Sequence, residues 1–283
     1  MIAWITNPLS YEFMQRGLLA ALMVGILCSI IGCYVVLRSM AFLGDALAHA
    51  ILPGIAIAYL VKGNLSLGAL AAALIVALGI GVFSRQGTIK EDTAIGILFA
   101  AALSLGVALI SSIRTYAVDL SHILFGNVLG VSSNDLLLTA TISLLVLATL
   151  IVCYRPFLVV FFDPVLAATL RLPADFLRIL MLVLLALTIV ISMQTVGVGL
   201  VAAMLVTPAA TASLLTRRLP AMMLVSALIG AFSSVVGLYI SYYANVASGS
   251  TIVLTATVIF LVAFLFSPRR GVLIKYLRPS HTH

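Results

Sequence analysis

Long apolar runs separated by short polar breaks dominate the chain. Cutting at charged and turn-forming residues leaves candidate helices near 17–37, 43–61, 65–84, 94–113, 136–154, 178–193, 199–215, 221–242 and 251–267. Each approaches the ~20 residues that a helix needs to cross the hydrocarbon of a bilayer. The runs are continuously apolar, which selects helices over a β-barrel, whose strands would turn every second side chain toward a polar lumen. Gln194-Thr195-Val196-Gly197-Val198-Gly199 is a thin separator, so its flanks form either two spans or one broken element. The expected fold class is an all-α integral membrane protein, a polytopic bundle of about eight to nine transmembrane helices. It occupies 1–283 as one domain.

Composition closes off the soluble alternative. Of 283 residues, 64% are hydrophobic and only 8% charged, against about 25% charged in soluble domains. The net charge of +7 is no nucleic-acid footprint, because the basic residues sit in short loops between spans. Alternating spans place Arg38, Arg85, Lys90, Arg155, Arg171, Arg178, Arg217, Arg218, Arg269, Arg270, Lys275 and Arg278 on one side. Only Arg16, Lys62 and Arg114 lie opposite. A bias of this size marks the cytoplasmic side and puts the C-terminus there. Cys28, Cys33 and Cys153 lack metal-site or redox spacing and read as small hydrophobes.

The segment 155–178, RPFLVVFFDPVLAATLRLPADFLR, is too polar and proline-broken to span. Asp163 before Pro164 is a helix start, carboxylate at the N-cap and proline at the first helical position. The segment therefore reads as a cytoplasmic loop with a short helix, either an interfacial connector or a platform for a partner.

One pair of ionisable residues stands inside a span. In SMAFLGDALAHAILPGIAIAYLV, Asp45 and His49 are four apart and share a helix face. A charge at membrane depth costs about 2.5–3.5 kcal/mol and marks a path or a partner. A carboxylate with an imidazole suits Mn²⁺, Fe²⁺ or Zn²⁺, and the absence of thiolate disfavours soft metals. Two other readings compete: a neutral Asp–His hydrogen bond between helices, and a proton relay. Gly44, Ala46, Ala48, Ala50 and Gly54 surround the pair with small side chains, and Pro53-Gly54 loosens the helix beyond it. Gly197, Gly199 and Pro208, with Thr207, Thr211 and Ser213, mark a second small-residue helix, more readily explained by packing than by a pore. Glu91 and Asp92 open a helix near Arg85 and Lys90, where dipole complementarity accounts for them.

No G-x-x-x-x-G-K-[ST] loop is present, and none of Lys62, Lys90 and Lys275 follows a glycine. The chain is therefore expected not to hydrolyse ATP. Active transport would draw on a separate ATPase or, as a gradient-driven secondary metal carrier, on an ion gradient.

The run FMQRGLLAALMVGILCSIIGCYVVLRSMAFLGDALAHAILPGIAIAYL, followed in order by KEDTAIGILFA, LFGNVLGVS, FDPVLAATL and TVGVGLVAAMLVTPAATAS, resembles the ABC-3 family of metal permeases, importers of manganese, zinc and iron. The resemblance implies the type II ABC importer permease fold and a homodimer with two cytoplasmic ATP-binding subunits. ATP would be bound by those partners, and an extracytoplasmic protein would deliver the metal. It places Asp45 and His49 on the translocation path and Phe162, Asp163 and Pro164 in the ATPase-coupling loop. Many relatives carry serine where this chain has Ala48, so the hydroxyl those relatives place beside the histidine is absent here. The implied function is import of a divalent transition metal across the cell membrane, with manganese favoured over zinc or iron.

Overall fold

The computed structural model describes residues 7–85, 90–112 and 128–267. The C-terminal residues 268–283, and with them the C-terminus assigned above to the basic side, lie outside the described residues, as does Arg114. Among the described residues twelve α-helices with defined bounds follow in order, besides a 3-10 turn at Val128–Gly130: α1 Glu12–Leu37, α2 Phe42–Ala50, α3 Leu52–Leu60, α4 Leu65–Arg85, α5 Glu91–Ser111, α6 Ser133–Val152, α7 Tyr154–Phe162, α8 Pro164–Thr169, α9 Ala174–Val196, α10 Val198–Leu215, α11 Leu219–Ala244 and α12 Ser248–Phe266. Counting α2 and α3 as one span, nine stretches among the described residues are long and apolar enough to cross a membrane. The thin separator is a true break: Gly197 adopts φ 86° as the cap between α9 and α10, a left-handed-side conformation that glycine enters without a Cβ penalty. The span near 43–61 breaks too, at Ile51, so that Pro53 falls in the first turn of α3, where its missing N–H costs nothing.

Burial separates the helices into two groups. α1, α2–α3 and α9 are mostly enclosed, whereas α5, α6 and α12 turn most of their surface outward. The outward residues are large and apolar, among them Leu105, Leu144, Leu254 and Val258, as lipid contact requires. With lipid as apolar as the helix surfaces, association depends on close backbone approach and interhelical hydrogen bonds. α1 and α11 meet at Gly25 and Gly230, where a methyl on either would collide with the other helix. Ser226 and Ser234 of α11 donate to the carbonyls of Ser29 and Ala21, each at 2.9 Å. Gly54 and Gly68 bring α3 and α4 equally close.

Two ends of the bundle are distinguishable. Arg38 at the end of α1, Glu91 at the start of α5 and Phe161 of α7 gather at one end. There the Ser267 hydroxyl also donates to the Leu214 carbonyl, joining the ends of α12 and α10. Most of the described basic residues at helix ends and in loops, Lys62 excepted, belong to this end. Tyr11 and Tyr242 mark the opposite end.

Candidate functional site

α2 is a short helix with two unlike faces. Leu43, Ala46, Leu47, Ala48 and Ala50 are buried against the bundle, and Gly44 lies against the Leu205 side chain. The other face presents Phe42, Asp45 and His49, and continues on α3 with Ile57 and Leu60. The spacing of four residues does what a 3.6-residue period requires and stacks the two polar side chains one turn apart. Asp45 Oδ1 stands 3.6 Å from His49 Nε2. That exceeds a hydrogen bond. Two donors held at ~2.1 Å from a single ion stand about 3.4 Å apart at a tetrahedral angle and about 3.0 Å apart at an octahedral one, so the observed separation lies near the spacing a shared cation needs without matching it. Both residues belong to one helix, so within a chain they do not tie two helices together.

The Asp45 and His49 side chains are 45% and 31% exposed. On an otherwise apolar helix face in a membrane, that exposure calls for water, a cation or a second protein surface. Phe99 of α5 borders the pair, 6.2 Å from the His49 ring and edge-on to Phe42 at 5.4 Å, centroid to centroid. No third His, Cys, Asp or Glu joins them among the described residues. Ala48 is fully buried on the opposite face, so a serine there would point into the bundle and away from the pair. A groove of about 570 Å³ lies along α3, lined by Ala50, Pro53, Gly54, Ile57 and Asn64 among others.

The loop 155–178 holds two helices, one more than its composition suggests. α7 buries Phe157 and Val160 and stacks Phe157 on Phe161 at 5.6 Å. Both rings meet Tyr34 of α1 edge-on, each at 6.0 Å. Phe162 is exposed at the end of α7. Asp163 then caps α8, accepting from the Leu166 backbone N–H at 2.9 Å, with Pro164 at the first helical position. α8 turns Val165 and Leu166 outward, and Leu170 at its C-cap is exposed too. A cleft of about 710 Å³ lies between α7, α8 and the start of α9, lined by Val160, Pro164, Ala167, Leu172, Asp175 and Arg178 among others.

A third feature links residues far apart in sequence. Arg38 donates to Glu91 Oε2 at 2.8 Å, and its guanidinium carbon lies 4.8 Å from the Phe161 ring centroid. Burial pulls the Arg38 guanidinium below its ordinary value and the neighbouring Arg178 adds to this, while Glu91 opposes it. In the small-residue helix α10, Thr211 donates to the Thr207 carbonyl and Ser213 to the Ala210 carbonyl, so these two hydroxyls are satisfied within the helix. Cys28 and Cys33 are buried free thiols.

Residues 10–267 match the ABC 3 transport family. The chain belongs to that family. It is 50% identical over 270 residues to the manganese transport system membrane protein MntC of Halalkalibacterium halodurans, covering 95% of this chain and 92% of the relative. It is 41% identical to a probable iron transport system membrane protein of Haemophilus influenzae, over 95% and 99% of the two chains. PsaBC from Streptococcus pneumoniae, solved with a Fab, superposes with a TM-score of 0.85 at 40% identity, over 98% of this chain and all of that one. The chain is thus a multi-pass ABC permease subunit, with the helical fold expected from its apolar runs.

Proposed function

We propose that this permease imports a divalent transition metal ion, manganese in first place and zinc or iron behind it, with Asp45 and His49 lining its path. The observation that carries the reading is the half-exposed carboxylate–imidazole pair on the open face of α2, in a chain whose family is ATP-linked. The relatives' names, manganese transport for MntC and iron transport for the Haemophilus protein, support the metal class. They rank manganese first without separating it from iron by ligand chemistry.

Two protein ligands per chain leave most of an ion's coordination unfilled. A homodimer, its two-fold axis beside α2, supplies a second Asp45 and His49 and covers the polar face that lipid would penalise. The exposed Phe162, Val165 and Leu170 around the Asp163 cap, with the cleft beside them, suit a cytoplasmic ATP-binding subunit. Phe162, Asp163 and Pro164 form the coupling segment, and ATP is bound and hydrolysed on that partner. The basic end of the bundle faces the cytoplasm, carries the C-terminus, and lies opposite the side where an extracytoplasmic metal-binding protein delivers the ion. The localisation that follows is the cell membrane.

The test is uptake of radioactive manganese and zinc, each challenged by the other, in cells expressing this chain with its ATPase and binding protein. Depleting ATP while holding the ion gradients should stop uptake. Uptake that persists without ATP and collapses with an ionophore would establish a gradient-driven carrier instead.

A further inference from the structure

Arg38 is the point at which the end of α1, the loop helix α7 and the start of α5 meet. Tyr34 and Arg38 lie one turn apart on the last turns of α1, and α7 is seated on both through Phe157 and Phe161. From Arg38 two short routes lead to the Asp45–His49 pair. Along the chain, only Ser39, Met40 and Ala41 separate it from α2. That turn is held tightly: Ser39 takes φ 59° and the Met40 N–H donates to the Val35 carbonyl at 3.0 Å. Through space, Arg38 grips Glu91 at the start of α5, and Phe99 of the same helix borders Phe42 and His49. Glu91, Ile95 and Phe99 recur at four-residue spacing, so one stripe of α5 carries both contacts. The Arg38 and Glu91 side chains are only 21% and 19% exposed, which shields the pair from the screening that makes surface ion pairs weak.

The cluster is also incompletely satisfied. The buried Tyr34 hydroxyl and the Arg178 Nε have no hydrogen-bond partner among the described residues, and both line the same small cavity as Arg38 and Glu91. Any second arrangement that met these buried donors would be favoured by doing so.

We propose that Arg38 is a positioning residue that transmits movement of α7 and α8 to the helix bearing Asp45 and His49. This rests on the ATP-driven importer reading. Motion of α7 displaces the Phe161 ring and the guanidinium follows; α5 shifts through the ion pair with Glu91 and α2 through the three-residue turn that joins it to Arg38. Arg38→Lys keeps the charge and the ion pair but loses the planar face that stacks on a ring. Phe161→Leu keeps apolar bulk and removes the ring.

The experiment measures manganese uptake and ATP hydrolysis in the same proteoliposomes, loaded with the assembled permease–ATPase complex. Manganese taken up per ATP should fall about tenfold in either variant, within the ordinary range of coupling between sites. ATP hydrolysis should stay near wild type, and the double variant should be no worse than either single one. A merely structural role would lower the amount of assembled complex and leave the ratio unchanged. An unchanged ratio in both variants overturns the proposal while the wild type still pumps. Failure of the wild type to take up manganese on ATP, in vesicles that hydrolyse it, overturns the importer reading itself, and this inference with it.

Discussion

The Leu166 backbone N–H donates to the Asp163 carboxylate at 2.9 Å, so one residue closes α7 through its backbone N–H and starts α8 with its side chain. Removing a cap of this kind costs about 1 kcal/mol, and asparagine caps nearly as well as aspartate. Asp163→Ala should therefore weaken retention of the ATPase subunit during purification of the complex, and Asp163→Asn should largely keep it. Equal loss in both variants would assign the role to the negative charge rather than to the helix start.

The close approach of Gly54 to Gly68 leaves no room for a side chain between α3 and α4. Gly54→Leu should destabilise the permease by at least ~1–3 kcal/mol, the cost of overpacking. A thermal melt in detergent would read this as a lower midpoint. Gly96→Ala, where a methyl meets nothing within the chain, should melt like the wild type.

The Arg38–Glu91 pair is mostly buried. Breaking such a pair from one side costs about 3–5 kcal/mol, because the other charge is stranded, and replacing both partners by apolar residues is far milder. The fifth of each side chain that remains exposed trims the figure. Denaturation in detergent should find Glu91→Leu strongly destabilised and the Arg38→Leu, Glu91→Leu double variant substantially recovered.

Two Asp45–His49 pairs meeting across a dimer axis would hold one ion between them. Equilibrium binding of manganese to the purified complex should saturate at about one ion per two chains, since a pair of ligands alone leaves a divalent ion under-coordinated. Saturation at one ion per chain would place the two pairs in separate sites.

Much of this was legible in the chain because the forces involved are local. Apolar length marks a span, and spacing of four puts Asp45 and His49 on one face. Asp163-Pro164 announces a helix start. The rest depends on partners distant in sequence. Arg38 and Glu91 are 53 residues apart, and each has a sufficient local explanation, one as a topogenic charge and the other as a helix-dipole partner. α7 is hidden because YRPFLVVFF opens without a capping side chain. Its one signal is the four-residue spacing of Phe157 and Phe161, which becomes informative only with Tyr34 opposite. The break at Ile51 rather than at Pro53-Gly54 follows from where proline is tolerated, just inside a helix start.

Asp45→Asn is nearly isosteric and removes only the negative charge, so it separates metal handling from folding. The most direct measurement is ATP-dependent manganese uptake by wild-type and Asp45→Asn complexes, reconstituted at equal amounts of assembled permease and ATPase. Insertion and assembly of the variant should be normal, with uptake abolished. Uptake preserved in the variant, or lost only because the complex fails to assemble, would contradict a metal path through Asp45 and His49.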